Sequence, residues 1–393
     1  MAYDFDQLID RRQSESSKWR KYDSDVIPLP VADMDFISPE PVIKALRDRI
    51  DHGLFGYGAL MPEFYETILG YLEQRYGWQV EPDAIVPLPG IVAGFNLAAR
   101  AMASPGEGLL LQTPLYPPML RLPSNTGLRA DLMALTQEAD GRYTVERDTF
   151  ASTIRPHTKA FMLCNPHNPV GRVFNRLELE LMAEHCLRHD LVICSDEIHC
   201  DIRFESHRHI PIATLDPEIE SRTITLMAPS KTYNLAGLKC AFTIIPNPAL
   251  RESFNAQRLD LVPQSVNILG ATAAIAAYRD GQAWLDEVLS YLDGNRQAVK
   301  AYVDTHLPGI SMAMPEGTYL AWLDCRQARI PNDDPYTFFL EQARVGLNDG
   351  RDFGAGGTGF VRLNFGCPRS LLMQALDRMR EALVQAGGLT LPV

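Results

Sequence analysis

From about residue 90 onward short apolar runs alternate with amphipathic stretches, and this alternation restricts the fold more than any other feature. "GLLLQTP", "TKAFMLCNP", "LVICSDEI", "TITLMAPS" and "CAFTIIP" read as strands, whereas "IVAGFNLAARAMAS" and the segment from Leu177 to His189 have helical periodicity. Strands that are apolar along their whole length are covered on both faces, as in a largely parallel sheet sheathed by helices. The expectation is an α/β fold whose ligand sits beyond the carboxyl ends of the strands. The last third changes character: a long amphipathic helix, "AWLDEVLSYLDGNRQAVKAYVDTHL", leads to strand-like "TYLAWLDC" and "GFVRLNFGC" and a closing helix, "SLLMQALDRMREALVQA". That pattern predicts a smaller α+β unit with an antiparallel sheet, against which the turn-rich N-terminal segment can pack. A chain of 393 residues is long enough for both, and the expected division is 50–285 for the large domain and 1–49 with 286–393 for the small one.

Several function classes are disfavoured at once. A formal charge of −12 argues against nonspecific binding to nucleic acid, which needs clustered Lys and Arg. No apolar run approaches the roughly 20 residues that span a bilayer. The start of the chain is charged early and carries no signal-peptide stretch, so a cytoplasmic protein is expected. Seven cysteines without a CxxC pair do not form a disulfide framework; Cys164, Cys194 and Cys240 read as small core hydrophobes. His185 and His189 lie four apart on a helix, but without a third ligand they read as a solvated helix face and no metal is expected. "GAGGTG" (354–359) matches G-x-G-x-x-G, yet a strand follows where a dinucleotide site needs a helix, so it reads as a loop.

The chemistry gathers around "LMAPSKTYNLAGLK". Lys231 stands where a buried strand stops, and there an amine can act as a nucleophile in a cleft. An imine-forming cofactor such as pyridoxal phosphate would make further demands, and each has a candidate. Asp196 in "SDEIH" is a carboxylate on a strand too apolar to carry one without a cationic partner, such as a protonated ring nitrogen. Asn168 in "NPHNPVG" can donate its amide to the phenolic oxygen. Gly90 precedes a helix, so the N–H groups of Ile91 and Val92 can cradle a phosphate, and Ser230 can add a hydroxyl. Tyr116 in "TPLYPP" can stack on the ring. Singly, each has an ordinary reading: a helix cap or ion pair for Asp196, a local turn for Asn168, a core aromatic for Tyr116.

With "VADMDF", "FGYG", "NPHNPVGRVF", "SDEIH", "MAPSKTYNLAGL", "PEGTYLAWLD" and "FVRLNFGCPRS" in that order, nearly the whole chain resembles the fold-type I pyridoxal-phosphate enzymes of the class I/II aminotransferase superfamily. Within them it is most similar to the cystathionine β-lyase-like carbon–sulfur lyases of the MalY/PatB type. The resemblance implies that Lys231 holds the cofactor covalently and later moves the Cα proton. It further implies that Asp196 pairs with the ring nitrogen, Asn168 holds the phenolic oxygen and Tyr116 stacks. Arg362 would clamp the substrate carboxylate, a task suited to a planar bidentate donor, and Asn168 would assist it. Tyr57 in "FGYG" matches the tyrosine that reaches the partner subunit's phosphate, which implies a homodimer.

Three positions depart from the wider patterns. Lys239 stands where many aminotransferases place a phosphate-binding arginine. His199 stands where they often have tyrosine, still within reach of the phenolic oxygen. Pro30 stands where the lyases commonly show tryptophan, which alters the side-chain pocket. The implied reaction is α,β-elimination of L-cystathionine or a related cysteine S-conjugate to a thiol, pyruvate and ammonia, with Lys231, Tyr116 and Tyr57 as catalytic candidates. An aminotransferase on the same scaffold is the first alternative and a pyridoxal-phosphate-binding regulator the second.

Overall fold

The structure, a computed structural model, describes residues 3–204, 207–259, 261–262 and 266–387. Its central sheet contains β1 (Ile85–Leu88), β2 (Gly108–Thr113), β3 (Arg129–Ala134), β4 (Thr158–Cys164), β5 (Val192–Asp196), β6 (Thr223–Met227) and β7 (Ala241–Ile244). In space the order is β1-β7-β6-β5-β4-β2-β3. All pairs are parallel except those of β7, which runs against both β6 and β1. The run "CAFTIIP" is thus a strand, but the one that opposes the rest. Two strands leave weaker traces in the sequence. β1 is only four residues long and contains Pro87; β3 lies at the sheet edge and alternates buried with exposed residues.

The helices of eight or more residues are α1 (Glu40–Asp51), α2 (Pro62–Tyr76), α3 (Ile91–Met102), α4 (Arg176–Arg188), α5 (Pro248–Arg258), α6 (Ile268–Asp280), α7 (Gln282–His306) and α8 (Arg369–Gln385). Both faces of the sheet are covered, as its apolar strands require. On one face Leu109, Leu111, Met162, Cys194 and Leu226 pack with Phe95 of α3. On the other Leu110, Phe161, Leu163 and Ile193 pack with Leu179 and Met182 of α4. Helix α4 begins with a reciprocal cap between Asn175 and Glu178. Its His185 is buried against Phe150, with ring centroids 5.4 Å apart, so this histidine is a core residue and not part of a solvated face.

A second, antiparallel sheet is built from β8 (Leu320–Asp324), β9 (Asn348–Asp349) and β10 (Phe360–Asn364), in the order β8-β10-β9. One core joins it to α7, α8 and the N-terminal residues Phe5, Ile27, Leu29, Met34 and Phe36. Ile27–Pro28 pairs in parallel with Val345–Gly346. The two sheets are tied by Glu316, which accepts from Arg172 Nε at 2.9 Å, Arg142 Nε at 2.7 Å and the Val173 N–H at 2.9 Å. Residues 354–359 form a loop that runs into β10, with Gly354, Gly356 and Gly359 at φ of 84°, 85° and 81°. No helix follows it.

Candidate active site

Because β7 alone is reversed, β1, β2, β4, β5 and β6 end on one edge of the sheet. Beyond that edge lies a cleft of about 540 Å³. Lys231, Asp196, Asn168, His199, Tyr116, Gly90, Ile91, Val92, Ser230, Lys239 and Arg362 all line it. Tyr57 does not. It lies fully exposed in a stretch before α2.

Lys231 owes its placement to Pro229, which opens a one-turn helix, Pro229–Thr232, directly after β6. Its Nζ donates to the Ala32 carbonyl at 2.5 Å. Burial pulls the amine down to about 8, against the pull of Asp33 and Asp196 in the other direction. Asp196 closes β5 and is buried; its Oδ1 accepts the Ile198 N–H at 3.1 Å. Burial pushes this carboxyl up to about 7, and the nearby Lys231 amine offsets that only in part. His199 follows in the next turn. Burial holds it well below the usual imidazole range, its Nδ1 has no partner among the described residues, and its ring meets Tyr319 edge-on at 5.8 Å.

Arg362 comes from β10 of the other sheet. Its Nη1 donates to Asn168 Oδ1 at 2.8 Å, and its Nη2 to the Pro30 carbonyl at 2.7 Å and Asn348 Oδ1 at 2.6 Å. All three acceptors are neutral, and the guanidinium packs over Phe353 at 5.0 Å. A buried cation without a carboxylate is costly, and burial lowers its proton affinity to about 10. Such a group is poised for an anionic ligand. With Asn168 Oδ1 engaged, its amide nitrogen is the atom left to donate into the cleft.

The opposite end of the cleft suits a phosphate. Gly90 precedes α3, and a Cβ built there would meet nothing within 4 Å, so the space beside it is open. The first N–H groups of α3, from Ile91 and Val92, have no acceptor within the helix. Ser230 and Lys239, the latter in the left-handed region at φ 54°, complete this end.

Some of the residues that shape the site are not evident in the sequence. Asn348 lies in a two-residue strand too short to leave a pattern. Asn234 donates to the carbonyls of Met34 and Phe36 and fixes the "VADMDF" segment, whose backbone walls the cleft. His167, fully buried, bridges the loops that carry Asn168 and Tyr116, its ring nitrogens 3.2 Å from the Cys164 carbonyl and 2.8 Å from that of Pro114. "NPHNPVG" was the signal for it. Cys164, Cys194 and Cys240 are buried free thiols, as their apolar surroundings implied.

Residues 24–379 match the aminotransferase class I and II family. Cystathionine beta-lyase PatB of Bacillus subtilis (strain 168) is 36% identical over 385 residues, covering 96% of this chain and 99% of that protein. Among solved structures, OvoB is 43% identical with a TM-score of 0.92, covering 97% of this chain and 99% of the other. Cystalysin from Treponema denticola, which contains a pyridoxal 5′-phosphate cofactor, is 32% identical with a TM-score of 0.94, covering 98% and 100%.

Proposed function

The chain belongs to the aminotransferase class I and II family, and from that premise we propose that it is a pyridoxal 5′-phosphate-dependent carbon–sulfur β-lyase. Its substrates are L-cystathionine or related cysteine S-conjugates, and its products a thiol, pyruvate and ammonia. The observation that carries the reading is the meeting, in one cleft, of a carboxyl raised by burial, a buried guanidinium whose acceptors are all neutral and a lysine amine of lowered proton affinity.

The residues fit the cofactor. Lys231 would hold it covalently, Asp196 would face its ring nitrogen, and Asn168 Nδ2 and His199 its phenolic oxygen. Tyr116 would cover the ring, while Ile91 and Val92 N–H, Ser230 and Lys239 would hold the phosphate beside Gly90. Once bound, the cofactor supplies an electron sink for the carbon that carries the substrate's amino group. Arg362, with Asn168, binds the substrate carboxylate and so orients the Cα–H bond. Lys231 Nζ takes the Cα proton; transfer to a positioned base of this kind typically contributes about 10²–10⁴-fold. The β sulfur leaves as a thiolate, Lys231, Tyr116 or Tyr57 returns a proton to it, and the released 2-aminoacrylate takes up water to give pyruvate and ammonia.

We also propose that the protein acts in the cytoplasm as a homodimer, Tyr57 of each copy reaching the other's phosphate end, and that its two parts are 50–285 and 1–49 with 286–393. The reaction is tested by incubation with L-cystathionine in the absence of any keto acid. Pyruvate and homocysteine are expected in equal amounts. Neither product without an acceptor, but amino transfer with one, would point to the aminotransferase reading.

A further inference from the structure

A buried ion cluster stands behind the cleft wall, and the reaction as derived makes no use of it. Lys18, fully buried, places Nζ 2.7 Å from Asp35 Oδ2 and 3.0 Å from Asp33 Oδ1. Arg11 closes the other side, 2.6 Å from Asp35 Oδ1 and 3.0 Å from Asp33 Oδ2. Trp19 Nε1 donates to Asp35 Oδ1 at 2.8 Å. Two cations and two carboxylates balance, but such a cluster is seldom a strong source of stability. What it fixes is local. The backbone of residues 30–36 runs past the cleft and offers its carbonyls to the active-site side chains. Pro30 O takes Arg362, Ala32 O takes both Lys231 Nζ and, at 2.9 Å, the Tyr319 hydroxyl, and Val31 O and Asp33 O take Asn364 Nδ2 at 2.6 and 2.7 Å.

Asp33 is therefore adjacent to the carbonyl that Lys231 touches, with its carboxylate clamped in place. The other charged or titratable groups that act on the amine are Lys18 from the same segment, Asp196 and His199 at the end of β5, and Arg362 from β10. Of these only the two carboxylates favour an ammonium, and Asp33 has the greater influence. Under the proposed function Asp196 is engaged with the cofactor ring, which leaves Asp33.

We propose that Asp33 is a positioning residue for Lys231: held by Lys18 and Arg11, it sets the Ala32 carbonyl and its own charge where they receive the amine in its protonated form. That is the form Lys231 takes once it has removed the Cα proton, so the inference rests on the reading of Lys231 as the base.

The test is a pH titration of the visible absorption of the cofactor-loaded protein, which follows the proton at Lys231 without turnover. Asp33→Asn removes an attraction and moves the midpoint down by about one pH unit. Lys18→Met removes one of the two cations that oppose Asp33, leaving Arg11, and moves it up. The double variant Asp33→Asn/Lys18→Met removes the pair together and moves it down by less; it decides the matter if Asp33→Asn alone does not fold. A merely structural role would lower Tm and leave the midpoints in place. Unchanged midpoints in loaded variants, or an upward move in Asp33→Asn, overturn the proposal. Borohydride labelling separates the two readings. Label on Lys231 with unmoved midpoints defeats the role of Asp33 alone, whereas label on another side chain defeats the assignment of the base.

Discussion

Asp196 illustrates how a single residue can favour function over stability. Burial raises its carboxyl from 3.8 to about 7, and the Ile198 N–H and the Lys231 amine support the charge only in part. A carboxyl whose affinity for a proton is greater folded than unfolded contributes stability that is complete below about pH 4 and lost as pH rises through about 7. Above neutrality the cofactor-free protein therefore carries a buried charge without a direct ion pair among the described residues. Asp196→Asn removes it, and calorimetry at pH 8 should find the variant more stable than the wild type by up to a few kcal/mol, since each tenfold change in proton affinity corresponds to about 1.4 kcal/mol. At pH 4 the difference should vanish. Turnover should collapse at either pH, since an amide cannot keep the ring protonated. A variant no more stable than wild type at pH 8 would mean that the charge is already compensated within the protein.

Helix α3 is the element on which the phosphate end of the cleft depends. One turn into it, Gly94 lets the helix lie close against the sheet. A Cβ at Gly94 would come within 2.8 Å of both Leu226 Cδ2 and Leu88 Cδ1. Leu88 ends β1, and Leu226 lies one residue before the end of β6, the strand that leads to Lys231. Gly94→Val should therefore lift the helix from two strands at once, costing about 1–3 kcal/mol by overpacking. Urea unfolding measures that cost. Equilibrium dialysis should find cofactor affinity reduced at least about tenfold, because the N–H groups of Ile91 and Val92 move with the helix. Lost stability with undiminished affinity would show that the helix N-terminus plays no part in holding the phosphate.

The whole molecule makes the cleft from parts far apart in the chain. Lys231 and Asp196 come from the large sheet, Arg362 from the small one, and the wall from the first 36 residues. Tyr57 remains outside, with Leu54, Phe55 and Met61 exposed around it. On the proposed homodimer this surface is covered by a second copy. Tyr57→Ala and Lys231→Ala should each give inactive or weakly active homodimers. Mixed and allowed to exchange, they should regain up to roughly a quarter of wild-type activity, because half of the molecules are heterodimers and each of those has one intact site. Failure of mixed subunits to regain activity, with exchange verified by mass, would confine Tyr57 to its own chain.

Local chemistry made much of this legible in advance. Strands apolar on both faces required a covered, largely parallel sheet, and the polar residues that interrupt them at their ends marked the cleft, because an apolar strand does not carry Asp196 or Lys231 without a use for it. The reversal of β7 was not legible, since strand direction depends on pairing between segments and apolar runs read the same both ways. Nor were Asn348, the Ala32 carbonyl and the Lys18–Asp33 pair. Each matters through a neighbour distant in the chain: Asn348 is 14 residues from Arg362, and Ala32 is 199 from Lys231. Residue type and local pattern determine which groups are available for chemistry; which of them meet is decided only when the chain closes on itself.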